Sequence, residues 1–247
     1  MTTKVHNFTE GKIIVPLLEF TLPILFAVFL QAMYGAVDLA VVGWFASTAD
    51  VSAVSAGSQI MQTITIVITG LAMGTTVLLG KKIGQGRERE AGDVIGGSVC
   101  LFAVTALIVT FVMLLATPAI TRIMQAPPEA FGRTVAYVRI CSAGTVFIVA
   151  YNMLGSVFRG LGDSKTPLLA VGIACVCNIF GDVLFVAGFG LAAGGAALAT
   201  VISQAISVLL CLWIVKRRGL PFPFERKNVL FHRKIIAAVL HIGTPIA

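Results

Sequence analysis

The chain has 247 residues, 57% of them hydrophobic and only 12% charged, and carries a net charge of +7. Soluble domains carry about 25% charged residues, so the composition argues against a soluble enzyme, a nucleic-acid binder and a secreted disulfide scaffold. The Lys and Arg residues cluster at the ends of apolar runs, where they set topology rather than contact nucleic acid.

Uncharged runs fall at 20–37, 51–80, 94–121, 140–158, 166–181 and 183–215. A bilayer core needs about 20 apolar residues per helix, and backbone groups in lipid must bond internally. The runs therefore predict helices at 15–46, 51–80, 92–117, 130–158, 165–188 and 192–216. They do not alternate polar and apolar residues, which argues against a barrel. The first run follows a polar stretch over 1–12 and is too long for the core of a signal peptide. Gly84 and Gly86, Pro127 and Pro128, Gly160 to Asp163, and the segment 188–195 supply the turns. Cys100, Cys141, Cys175, Cys177 and Cys211 all lie in apolar runs, which reads as packing rather than disulfides or a metal cage.

With the N-terminus in the cytoplasm, 15 of the 18 basic residues fall inside, and only Arg122, Arg133 and Arg139 fall outside. That bias predicts an N-terminus-in, multi-pass protein. A new apolar segment begins at Ile235 and reaches Ala247, too short to span. Its Leu240 and Pro245 echo Leu18 and Pro23, an offset of 222 residues. Six helices return the chain to the cytoplasm, so a second copy would run parallel to the first. The expected organisation is a six-helix lobe over 1–234 and the start of a seventh helix over 235–247.

Ionisable groups inside a bilayer cost at least a few kcal/mol, which makes them functional candidates. Asp38 and Asp182 stand out, while Glu19 reads as a boundary residue. Both aspartates sit roughly 25–28 Å up their helices, so they share a level in the outer half of the membrane. Gln31, Tyr34 and Asp38 share one helical face, and Asn178 and Asp182 are an i, i+4 pair. Thr200 descends to the same level. Asp38, Asn178, Asp182 and Thr200 can thus meet in one polar pocket. Their oxygens suit a hard cation. Alternatively, the two carboxylates share one proton, because two buried like charges cannot both ionise. The bland reading of each Asn, Thr or Gln alone is a packing hydrogen bond. The Gly70 to Gly74 spacing permits close helix approach, best read as static packing.

These residues carry a resemblance. The chain is similar to the N-terminal half of bacterial multidrug and toxic compound extrusion (MATE) transporters. The similarity lies in Thr9 to Ile13 with Leu22 and Pro23, in Leu30 to Gly43 around Gln31, Tyr34 and Asp38, and in Asn178 with Asp182. It extends to Gly195 to Thr200, and to the loop Arg159, Gly160, Gly162, Asp163 and Pro167, which matches an Arg-Gly-x-Gly-Asp-x-x-x-Pro signature. The resemblance implies an all-α polytopic membrane protein: the six-transmembrane-helix lobe of a twelve-helix transporter with two parallel repeats. It implies efflux of drugs or metabolites by antiport against sodium or protons across the bacterial plasma (inner) membrane, with no cofactor beyond the coupling ion and no enzymatic activity. It places the coupling-cation site at Asp38, Asn178, Asp182 and Thr200 and the substrate cavity at Gln31 and Tyr34. Arg159, Gly160, Gly162, Asp163 and Pro167 read as a structural turn. The partners implied are the lipid bilayer, a small-molecule substrate, and a C-terminal lobe missing here or, failing that, a second copy of the chain. One lobe alone is expected to be inactive.

Two other classes compete. A related flippase for lipid-linked saccharides would need a cationic cavity, yet the apolar runs hold no Lys or Arg except Arg139 near a helix end. Gly160 to Asp163 also spells the Gly-x-Gly-Asp pattern of membrane aspartyl proteases. There, however, about 30 Å of membrane separates Asp163 from Asp38 and Asp182.

Overall fold

The structure, a computed structural model, describes residues 14–222, 224 and 228–246. Residues 9–13, Lys4, Arg226, Lys227 and Ala247 lie outside that range. Among the described residues there are eight α-helices and no strand: α1 (Ile14–Phe45), α2 (Thr48–Gly84), α3 (Glu88–Ile123), α4 (Pro128–Ala143), α5 (Thr145–Gly160), α6 (Lys165–Asp182), α7 (Ala192–Arg218) and α8 (Arg233–Gly243). Five segments are long and apolar enough to cross a membrane, and α4 with α5 makes a sixth, bent span. The chain is a multi-pass membrane protein.

Helix α2 starts three residues earlier than its apolar run because Ser47 and Asp50 cap it reciprocally. Asp50 donates its N–H to Ser47 Oγ at 3.4 Å, and Ser47 donates its N–H to Asp50 Oδ2 at 3.2 Å. Such a capping box satisfies two orphan donors. Arg133 of α4 then reaches Asp50 at 2.5 Å, tying the start of α2 to α4. Helix α3 runs past the expected end at 117, through Pro118 to Ile123. The hydroxyl of Thr117 donates to the Met113 carbonyl there, so this turn keeps a polar bond near the proline.

The expected single helix over 130–158 is two helices bent by 49°. The bend is at Gly144, where a Cβ would lie 2.4 Å from Val201 of α7. Only a residue without a side chain lets α7 press this close. The expected helix over 165–188 is also divided. After Asp182 the winding loosens into a π-helical segment, Val183–Gly188. π-helical turns inside α-helices gather at functional sites.

Helix α2 is the hub. Ser58 pairs with Tyr137 of α4 at 3.0 Å, Thr69 donates to Asn152 of α5 at 2.9 Å, and Thr75 pairs with Ser98 of α3 at 3.0 Å. These are the interhelical hydrogen bonds that hold membrane bundles where lipid supplies no hydrophobic drive. Helix α1 sits at the edge and buries only Tyr34, Asp38, Val41 and Val42.

Helix α8 begins at Arg233 and docks back onto the lobe. Its Val239 carbonyl lies where a Cβ on Gly74 would fall, 2.2 Å away, and Gly243 abuts the backbone of Leu71. The Gly70 to Gly74 spacing is therefore occupied by α8. Pro23 sits inside α1, and Pro245 lies two residues beyond the end of α8 at Gly243.

Candidate functional site

Asp38 is 3% exposed, Asp182 and Asn178 are fully buried, and the three face one another. Thr200 completes the group by donating its hydroxyl to Asp38 Oδ2 at 3.2 Å. The elements that bring them together are close-packed. A Cβ on Gly181 would lie 2.9 Å from Ala199, and one on Gly195 would lie 2.9 Å from the Phe185 backbone. This glycine-lined contact sets the end of α6 against the start of α7, and α1 packs across both.

The cluster is under-satisfied. Asp38 Oδ1, both oxygens of Asp182 and both amide atoms of Asn178 are buried and make no well-formed hydrogen bond among the described residues, although Asp182 and Asn178 stand within polar contact of Asp38. No ion pair among those residues reaches either carboxylate. Native proteins rarely leave buried polar atoms unpaired, and each such group calls for an explanation. Two carboxylates, an amide oxygen and a hydroxyl form an oxygen set that can hold a hard cation or share a proton. Among the described residues no group of three His, Cys, Asp or Glu side chains gathers into a metal cluster.

Asp38 and Thr200 also border a cavity of about 230 Å³. Gln31 and Tyr34 line it from α1, Ser58 and Gln62 from α2, Tyr137 from α4, Asn152 from α5 and Gln204 from α7. Among the described residues that line it, Asp38 is the only charged one. Sequence reasoning missed Gln204, Tyr137 and Asn152. Gln204 carried a signal, lying one turn after Thr200 on the same helix face. Its amide Nε2 donates to the Tyr34 hydroxyl at 2.5 Å.

The loop signature lies apart from this cluster. Asp163 Oδ1 accepts the backbone N–H of Lys165 at 3.1 Å and of Thr166 at 2.9 Å, so from the residue before the N-cap, Ser164, it satisfies two N–H groups in the first turn of α6. Arg218 from the end of α7 approaches its other oxygen at 3.5 Å. Gly162 has φ +80°, a left-handed turn that favours glycine. Gly160 lies against Leu79, with no room for a Cβ. Arg159 is partly buried, and its Nε has no partner among the described residues. Pro167 is buried in the first turn of α6, and its carbonyl accepts the Tyr151 hydroxyl at 3.1 Å.

The MatE family model matches residues 23–184. The chain belongs to the MATE family. It is 28% identical over 224 residues to the probable multidrug resistance protein YpnP of Bacillus subtilis, covering 90% of this chain and 50% of that one. A crystal structure of MATE in the bent conformation superposes on all of this chain and 55% of its own, with a TM-score of 0.91 at 26% identity. A MOP superfamily transporter from Pyrococcus furiosus, described as having a binding pocket of reverse polarity, matches all of this chain and 54% of its own, with a TM-score of 0.90 at 26% identity. The chain spans about half the length of the curated relatives it matches, and its fold is that of the N-terminal half of a twelve-helix MATE transporter.

Proposed function

We propose that the chain is the first lobe of a secondary active multidrug exporter of the bacterial plasma membrane, with its N-terminus in the cytoplasm. Residues 1–234 form the lobe, and the segment from 235 leads into a second one. The coupling ion, sodium or a proton, binds at Asp38, Asn178, Asp182 and Thr200. The substrate occupies the cavity that Gln31 and Tyr34 line. The observation that carries this reading is the buried pair Asp38 and Asp182, set among unpartnered oxygens with no Lys or Arg among the residues lining the cavity. An uncompensated buried charge is too costly to persist, so the pair takes up a cation or a proton.

The mechanism follows from position. A cation entering at the free oxygen of Asp38 takes the Thr200 hydroxyl oxygen as a further ligand, so the direct Thr200–Asp38 hydrogen bond gives way to contacts through the ion. Helix α1 then shifts against α7, the cavity it borders changes shape, and the drug leaves. Coupling is reciprocal: a cation that weakens drug binding is itself weakened by drug. With Asp38 as the only charged residue among the described lining residues, the cavity suits cationic or neutral amphipathic drugs rather than anionic lipids.

Sodium binding to the chain in nanodiscs tests the reading. Replacing choline chloride by sodium chloride raises the melting temperature if sodium is the coupling ion, since a ligand that binds only the folded state stabilises it. A proton-coupled lobe instead releases protons when ethidium binds. A chain that does neither overturns the proposal. One lobe binds but does not transport, and ethidium efflux from liposomes holding this chain alone would refute that part.

A further inference from the structure

Helices α1 and α7 are laced by two rungs. Thr200 donates to Asp38 at 3.2 Å, and Gln204 donates to Tyr34 at 2.5 Å. Asp38 and Tyr34 are one turn apart on α1, and Thr200 and Gln204 one turn apart on α7. The pairing is antiparallel, so both rungs lie on one line between the helices. The upper rung ends on a carboxylate of the proposed cation site. The lower rung ends on an amide that borders the cavity.

The amide has two ends with different fates. Gln204 is 8% exposed, and its Nε2 is committed to Tyr34. Its Oε1 is buried with no partner among the described residues, and the side chain lines the cavity. A buried acceptor left unmade costs about 1–3 kcal/mol, so the atom is a standing site for a donor. Among the described residues that line the cavity, none is a Lys or Arg that could supply one. An N–H group of a substrate can.

We propose that Gln204 ties substrate recognition to the position of α1: its Oε1 accepts an N–H from the drug only while Tyr34 holds its Nε2. The inference rests on the efflux reading above and sharpens its substrate class to cations or amphiphiles that carry N–H donors. The two ends of one planar amide cannot be oriented independently. A substrate donor on Oε1 fixes the amide and strengthens the rung to α1. Displacement of α1 after cation entry at Asp38 breaks the rung, frees the amide to turn, and takes the acceptor from the drug. Gln204 thus passes the state of the upper rung to the cavity.

The test uses two probes, ethidium, which has N–H groups, and tetraphenylphosphonium, which has none. Their binding to the chain in nanodiscs is measured by fluorescence and by equilibrium dialysis. Gln204→Leu weakens ethidium about tenfold and leaves tetraphenylphosphonium within about twofold, which also reports an intact cavity. Tyr34→Phe weakens ethidium by several-fold with the same selectivity, because the amide loses the group that orients it. Equal loss of both probes, or an unchanged ethidium affinity in Gln204→Leu, overturns the inference and leaves the efflux reading standing. A wild-type chain that binds neither probe overturns both.

Discussion

The hydroxyl of Thr200 donates to Asp38 across 3.2 Å, joining the helix that opens the lobe to the helix that closes it. Asp38 keeps one oxygen for that bond and one that is buried without a partner. The carboxylate is therefore held in place and still able to take a cation. That combination suits a coupling site better than a fully satisfied network, which would be static.

Asp38→Asn is expected to abolish cation-coupled ethidium efflux when the chain is joined to the second lobe of a twelve-helix relative. Asn is nearly isosteric and keeps an acceptor for Thr200, but it holds no charge for a cation to neutralise. Insertion is retained, because removing a buried charge lowers the cost of the helix in lipid. Efflux is compared at equal membrane expression in cells lacking other pumps. Normal efflux in the variant sinks the assignment.

The residues legible in the sequence were the charged ones. Asp38 and Asp182 interrupt long uncharged runs, and helical spacing placed them at one level with Asn178 and Thr200, which the structure brings together. Gln204, Tyr137 and Asn152 were illegible for a physical reason. A neutral polar side chain in an apolar helix has the same pattern whether it packs or binds, and only the facing helix separates the two. The break at Gly144 was hidden in the same way. A single glycine in an apolar run is tolerated in a helix, and its meaning depends on Val201, which is distant in sequence. The Gly70 to Gly74 spacing announced a close approach without naming α8 as the partner.

Gly144→Ala is expected to destabilise the lobe by about 1–3 kcal/mol, the usual cost of overpacking. The added Cβ would lie 2.4 Å and 2.6 Å from the two methyl groups of Val201. Those methyl groups can be removed. Val201→Ala should therefore recover most of the loss in the double variant, a coupling expected of residues in contact. Thermal unfolding of the four proteins measures it. Simple additivity would mean that Val201 is not what bends the α4–α5 span.

Gly74→Leu should free α8. The carbonyl of Val239 and the backbone N–H of Gly243 stand 2.2 Å and 3.1 Å from the position of a Cβ on Gly74. Neither is a flexible side-chain end, so the whole helix must move. Limited proteolysis between α7 and α8 is expected to speed up markedly. Gly84→Leu is the control, since nothing lies within 4 Å of a Cβ there. Equal cleavage in both variants would show that the α2–α8 contact does not hold the segment.

Asp163 separates a structural from a chemical reading of the Gly-x-Gly-Asp loop. From the residue before the N-cap it accepts the N–H groups of Lys165 and Thr166 in the first turn of α6, as a capping side chain does. Asp182 is at the other end of that 18-residue helix, about 27 Å away, so the two carboxylates cannot act on one water. Asp163→Ala should cost about 1–2 kcal/mol of stability, the usual loss of a helix cap. Asp163→Asn should recover most of it, because Asn caps as well as Asp. The ion pair with Arg218 adds little to this difference, since the arginine is 43% exposed and solvent screens such pairs. Ethidium affinity, corrected for the folded fraction, should be the same in all three proteins. A loss of affinity in Asp163→Asn without a loss of melting temperature would instead give this loop a direct part in binding.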